Sequence, residues 1–262
     1  MNLPNFKSRD GATNYSHKGG AKISPLVVNL VMNALPASDK ANSFKNILDI
    51  GSGPGNMSLA LAQRYPHADV VGIDFSEAMI DLSSTSALDA DLTNVDFKWL
   101  SDDHIDQLTQ HFDLIVCNLA FPFFPRPEHT MTQVFEHLRS GSQTIFTVPG
   151  NKTWAEFFDI ATGVMGPMVE FARPMLSKFM QAENLPRIMR ESGLLLIEEQ
   201  HTLIPFTFGS GQEAVTFFTE MFEMLSKVPT LIRKKLAMEI DARFPAGFTM
   251  NYEAVMVTGK RS

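Results

Sequence analysis

The residues with the most chemistry in their spacing are an acid followed by three glycines, Asp49-Ile50-Gly51-Ser52-Gly53-Pro54-Gly55, and two later acidic positions, Asp74 and the pair Asp102-Asp103. Glycines at a turn let the backbone take positive φ and let a ligand come close to the main chain. Asp74 follows Gly55 by 19 residues and ends an apolar run, residues 70–73. A carboxylate at a strand tip accepts two hydrogen bonds from the hydroxyls of a ribose, a use that neutral side chains match poorly. Plainer readings stand beside these: a glycine turn without a ligand, and a helix start at Asp74-Phe75-Ser76-Glu77 with Ser76 as cap. Histidine, with an ordinary pKa near neutrality, is the side chain suited to general-base work. His17 and His129 stand first, ahead of His104 and His201, although each also reads as an ordinary packed or surface imidazole. Cys117 falls in an apolar run with no base nearby in sequence, which suits a small hydrophobe better than a nucleophile. No His, Asp and Glu set has the spacing of a metal site.

These groups fall at the ends of short apolar runs that alternate with helical patterns. Strands are expected at residues 47–50, 69–73, 95–100, 112–118 and 142–148, with helices at about 55–64 and 77–88 between them. Continuous apolar runs alternating with helices indicate a parallel sheet covered on both faces. Ligands of such sheets lie beyond the carboxyl ends of the strands, where the glycine turn and Asp74 fall. Before this core, residues 1–43 read as a polar arm and a lid helix that opens at Ser24-Pro25 with proline at its first position. The core spans 44–150. A helical cap insertion follows at 151–192, then residues 193–262 with the last two strands, 194–204 and 252–258, around a second helical insertion at 206–245. The expected architecture is α/β: a seven-stranded, mostly parallel sheet with an antiparallel last strand and a helical cap.

A dinucleotide fingerprint, G-x-G-x-x-G, would place its third glycine at position 56, but that residue is Asn56 and the glycine is Gly55. The pattern, acidic-x-G-x-G-x-G, resembles motif I of class I S-adenosylmethionine-dependent methyltransferases. The resemblance covers about residues 44–150 and implies a Rossmann-like fold with S-adenosylmethionine as cofactor. It implies cofactor contacts from Asp49, Gly51, Ser52, Gly53, Gly55, Asp74, Phe75, Met79, Ser101 and Asn118. Residues 95–103 resemble the third-strand motif whose final acid contacts the adenine amino group; Asp102 is the first choice and Asp103 the reserve. Residues 112–121 resemble the fourth-strand motif beside the reactive methyl. Where many amide and amine N-methyltransferases carry Asn-Pro-Pro-Tyr, this chain has Asn118-Leu119-Ala120-Phe121, which points to small-molecule members. Residues 15–23 resemble the N-terminal lid of fungal secondary-metabolite methyltransferases, which would set Tyr15 over the cofactor and turn His17 towards it.

The chain has 262 residues and a formal charge of −7, which argues against a nucleic-acid groove. Arg233-Lys234-Lys235 reads as a solvated helix face. One cysteine, a polar N-terminal segment and no apolar run of membrane-spanning length make a cytoplasmic protein without a membrane partner the expectation. There are 21 Phe and 15 Met against 3 Tyr and 2 Trp, and many fall in the two insertions, among them Phe157, Phe158, Met168, Met175, Phe217, Phe218 and Met224. Two readings stay open for these: a pocket for an apolar or aromatic small-molecule acceptor, or core-facing stripes and a homodimer interface. Methyl transfer from a sulfonium is an in-line displacement in which the enzyme mainly aligns the partners and excludes water. The expected function is methylation of an O, N or S atom of a small, fairly apolar metabolite. The alternative is a protein of this fold that binds the cofactor and acts as a cyclase or a non-catalytic regulator, since fold alone does not decide.

Overall fold

The computed structural model describes residues 19–36, 44–166, 169, 179–221 and 228–262. Seven strands form one sheet: β1 (Asn46–Ile50), β2 (Asp69–Asp74), β3 (Val95–Trp99), β4 (Phe112–Asn118), β5 (Leu138–Pro149), β6 (Leu195–Phe208) and β7 (Phe248–Lys260). Their order is β3-β2-β1-β4-β5-β7-β6. The first five are parallel, and β7 runs antiparallel between β5 and β6. Strand order reverses at β1, whose neighbours are β2 and β4, so a crevice opens beyond its carboxyl end.

The local sequence accounts for these elements. Ile47 to Ile50 are all buried, as a central parallel strand covered on both faces requires. Helix α2 (Asn56–Arg64) buries Met57, Leu61 and Ala62 against the sheet. From its last turn Arg64 donates to the carbonyls of Met32, Leu35 and Pro36, which ties down the end of α1 (Gly19–Ala34). Ser76 caps α3 (Glu77–Asp89) by accepting from the Met79 N–H at 3.3 Å. Helix α4 (Pro127–His137) follows β4, and the cap contributes α5 (Ala155–Met165), α6 (Asn184–Glu191), α7 (Gly211–Met221) and α8 (Thr230–Arg243).

Three boundaries differ from the sequence expectation. Helix α1 begins at Gly19 and holds Pro25 in its interior, because Ile23 and Val27 share one buried stripe that continues across the proline. The last two strands are longer than read, and residues 206–208 belong to β6, not to the helical insertion. There Ile204, Phe206 and Phe208 alternate inward while Leu203, Pro205 and Thr207 point out, a period of two. Residues 204–208 pair with 248–252, extending the ladder into the cap.

The insertion aromatics settle largely into the core of this cap. Phe157 and Phe218 stack with centroids 3.7 Å apart, Trp154 meets Phe218 edge-on at 5.3 Å, and all three are buried. Hydrogen bonds stitch the cap to β7: Trp154 N–H donates to the Asn251 carbonyl at 2.6 Å, and Asn251 N–H and Nδ2 donate to the Glu156 carboxylate. Of the methionines in the insertions, Met168, Met175 and Met224 lie outside the described residues. Removing a ring from this stack leaves a cavity that the neighbours only partly fill. Phe218→Ala is expected to lower unfolding stability by about 3–5 kcal/mol, whereas Leu88→Ala at an exposed position changes it by less than about 0.5 kcal/mol. Urea titrations followed by circular dichroism measure both.

Candidate cofactor site

The turn after β1 is clamped to the end of β2. Gly51 N–H and Ser52 N–H both donate to the Ile73 carbonyl, at 2.8 and 2.9 Å, and Gly53 N–H donates to Asp74 Oδ2 at 2.9 Å. Gly51 has φ +69°, and a Cβ there would overlap the side chain of Ala120 behind β4. Gly53, at φ +53°, faces open space instead: a Cβ there would meet nothing within 4 Å. A ligand could therefore approach the main chain at this point. Asp74 Oδ1 accepts from Ser76 N–H at 2.9 Å, so each carboxylate oxygen is fixed by one backbone donor and keeps a further lone pair.

Asp49 lies beneath this turn. Its Oδ2 accepts from the Ser58 hydroxyl at 2.5 Å, while its Oδ1, like Ser52 Oγ, is buried with no hydrogen-bond partner among the described residues. Burial pushes the Asp49 carboxyl up to about 7, against the Ser58 hydroxyl and with some help from the charge of Asp74. Burial also raises Asp74, opposed by the N–H groups of Ser76 and Gly53. Asp102, whose Oδ2 accepts from Thr130 at 2.8 Å, is pushed up to about 6 by burial, opposed by Thr130 and reinforced by Asp103. These three acids line one cavity, and no Lys or Arg among the described residues lines it. A cavity of this kind favours a ligand that brings hydrogen-bond donors and positive charge.

Of the residues picked out in the sequence, Asp49, Gly51, Ser52, Gly53, Asp74, Phe75, Met79, Asp102 and Asn118 line this cavity together. Gly55 does not line it and acts as support, capping α2 in a left-handed conformation at φ +93°. Ser101 lines an adjoining recess with Phe75, Trp99 and His104. Asp103 turns the other way, to Arg126 at 2.8 Å; hydrogen bonds from Ser101 and Arg126 hold it below the usual carboxylate range. Of the two acids, Asp102 is the one that lines the cavity. His129 is not at the cavity: it lies on α4 with its Nε2 facing the amide of Gln133 at 2.9 Å. Cys117 is buried in β4, which raises its thiol well above the ordinary value. His201 lies on β6, between Glu199 and Glu253. Tyr15, His17 and the first part of the lid motif lie outside the described residues.

The sequence reading did not pick out Ser24, Met57, Leu119, Ala120, Phe123 and Phe124, which also line the cavity. The last four follow Asn118 directly and form the wall opposite the glycine turn. Leu119 holds φ +64°, an uncommon value for leucine, and its N–H is fixed by the carbonyl and hydroxyl of Thr147 at 3.1 and 3.0 Å. The same Thr147 hydroxyl donates to Asn118 Oδ1 at 2.8 Å, leaving Asn118 Nδ2 without a partner among the described residues. Only the position after the fourth strand signalled this wall in the sequence.

Residues 27–199 match the family model described as a methyltransferase domain, two-thirds of the chain, and the chain belongs to that family. It is 32% identical over 108 residues to trans-aconitate 2-methyltransferase of Deinococcus radiodurans, covering 41% of this chain and 39% of the relative. It is 27% identical over 173 residues to malonyl-[acyl-carrier protein] O-methyltransferase of Acetivibrio thermocellus, covering 66% of this chain and 59% of the relative. The chain thus spans between two-fifths and three-fifths of the length of these relatives. A solved structure of phosphoethanolamine N-methyltransferase 2 of Haemonchus contortus, in complex with phosphomonomethylethanolamine and S-adenosylhomocysteine, shares the fold. It superposes with a TM-score of 0.57 at 13% identity, covering 100% of this chain and 60% of that one.

Two results are expected from the three acids. Asp74→Ala removes both carboxylate oxygens from the cavity and is expected to abolish S-adenosylhomocysteine binding in a calorimetric titration, with the circular dichroism spectrum unchanged. A carboxyl whose pKa is higher in the folded chain stabilises the fold while protonated, and that contribution is lost as pH rises from about 4 towards 7. Asp49→Asn keeps the neutral form at all pH values, so the ligand-free variant is expected to melt a few degrees above the wild type at pH 8 and close to it at pH 4.

Proposed function

We propose that this chain is an S-adenosylmethionine-dependent methyltransferase acting on an oxygen, nitrogen or sulfur atom of a small, fairly apolar molecule. One observation carries the reading: beneath a glycine turn, Asp49 Oδ1 and Ser52 Oγ, buried and without a partner among the described residues, share a cavity with Asp74 and Asp102. These unsatisfied acceptors fit a ligand with an ammonium at one end, ribose hydroxyls in the middle and an amino-purine at the other. Asp49 and Ser52 would take the amino-acid end, Asp74 the ribose and Asp102 the adenine amino group. The bound sulfonium supplies an activated methyl and a neutral leaving group.

The protein's own part is to orient and to exclude water. Leu119, Ala120, Phe123 and Phe124 make the far side of the cavity apolar, which suits the body of a small acceptor. Asn118, its carboxamide oxygen held by Thr147, offers Nδ2 protons to a polar atom of that acceptor. A carboxylate or a neutral amine would be nucleophilic enough to accept the methyl without a protein base, whereas a hydroxyl would call for one. The names of the two relatives, one an O-methyltransferase, support the oxygen case. Among the described residues no helix is long and apolar enough to cross a membrane.

Incubation with methyl-labelled S-adenosylmethionine and a panel of small carboxylic acids, phenols and amines tests the reading. Transfer of label to one class supports it, while tight cofactor binding without transfer to any class would favour a binding role. With an acceptor in hand, Phe123→Ala is expected to raise the KM for the acceptor several-fold, as steady-state kinetics with varied acceptor would show.

A further inference from the structure

We propose that Thr147 is a positioning residue for methyl transfer, whose hydroxyl sets which end of the Asn118 carboxamide faces the acceptor. This rests on the cavity's being a methyltransferase site, and it extends that site to a residue the cavity does not touch. Thr147 is fully buried on β5 and does not line the cavity, whereas Asn118, its pair on β4, does.

The hydrogen bonds at Thr147 fix the direction. A hydroxyl has one proton to give and two lone pairs to fill. The Leu119 N–H donates to Thr147 Oγ1 at 3.0 Å and so occupies a lone pair. The hydroxyl proton must then find an acceptor in a fully buried place, and Asn118 Oδ1 stands at 2.8 Å to take it. With the carboxamide turned over, Nδ2 would face the hydroxyl and the threonine proton would lose that acceptor. A residue on the neighbouring strand thus assigns the two ends of Asn118, and Nδ2 is the end left for the cavity. Asp49, Asp74 and Asp102, which line the same cavity, are acceptors when ionised. A fixed amide donor among them is a group able to hold an oxygen of the acceptor.

Two features separate this role from the stability of the strand. The Leu119 N–H is shared with the Thr147 carbonyl at 3.1 Å, so left-handed Leu119 keeps a main-chain partner when the hydroxyl is removed. Thr147→Val therefore deletes the hold on Asn118 at nearly constant side-chain shape. Thr144, three residues earlier and so on the opposite face of β5, supplies the control. It is equally buried, it does not line the cavity, and its hydroxyl donates to the Ile115 carbonyl at 2.8 Å.

With cofactor saturating and an acceptor identified by methyl transfer, Thr147→Val is expected to lower kcat/KM for the acceptor roughly tenfold. Thr147→Ser is expected to restore most of it, and Thr144→Val to leave it unchanged. In an Asn118→Ala background, Thr147→Val is expected to cost nothing further, because the group it acts through is already gone. Wild-type kinetics in Thr147→Val, an equal loss in Thr144→Val, or losses that multiply in the double variant would each overturn the proposal. The orientation itself is read in the ligand-free chain by nuclear magnetic resonance, with the Asn118 side-chain amide identified by its absence from the Asn118→Asp spectrum. Its protons are expected to exchange with water as those of an open asparagine do. Protection from exchange would put Nδ2 on Thr147 and overturn the proposal. This measurement needs neither cofactor nor acceptor, so it separates failure of the proposal from failure of the methyltransferase reading, which would show as no transfer to any acceptor.

Discussion

Three main-chain N–H groups hold the turn after β1 against the end of β2: those of Gly51 and Ser52 on the Ile73 carbonyl, and that of Gly53 on Asp74. This clamp does two jobs at once. It satisfies backbone groups that leave the sheet, and it fixes the Asp74 carboxylate at the mouth of the crevice where strand order reverses. The glycines are what permit it, because Gly51 has no room for a Cβ beside Ala120 and both Gly51 and Gly53 hold positive φ. Ala120 belongs to the loop after β4, so the clamp also sets how near the opposite wall approaches. The cavity is the space left between the turn and that wall.

The buried acids show the cost of building such a space. Asp49, Asp74 and Asp102 are at most 8% exposed, and no cation among the described residues lines their cavity. Each is pushed above the usual carboxylate range by burial, and the partners that oppose the shift are neutral hydroxyls and N–H groups. An arrangement that disfavours its own ionised form is relieved by a ligand carrying positive charge and hydroxyl donors. Asp49 Oδ1, without a partner among the described residues, is the clearest mark of this, since buried polar atoms are rarely left unpaired.

The glycine turn, Asp49, Asp74 and the positions of the first five strands along the chain were legible because their signals are local: a spacing, an acid at a strand end, a change of hydrophobic period. Which of Asp102 and Asp103 lines the cavity was not, because it depends on Thr130 and Arg126, more than twenty residues away. The wall formed by Leu119 to Phe124 depends on a left-handed leucine, and no sequence pattern announces that. Phe206 and Phe208 were assigned to a helical insertion, although the ladder with β7 holds them in a strand. The aromatic wealth of the insertions left two readings open, and packing of Trp154, Phe157 and Phe218 on one another resolves those three to core. Composition could not separate a greasy pocket from a greasy core.

A glycine turn of this kind also serves nicotinamide dinucleotides, and isothermal titration of the wild-type chain with each cofactor separates the two. A saturable one-to-one binding isotherm with S-adenosylmethionine and no binding heat with NADH are expected. Saturable binding of NADH with none of S-adenosylmethionine would overturn the assignment of this cavity to S-adenosylmethionine.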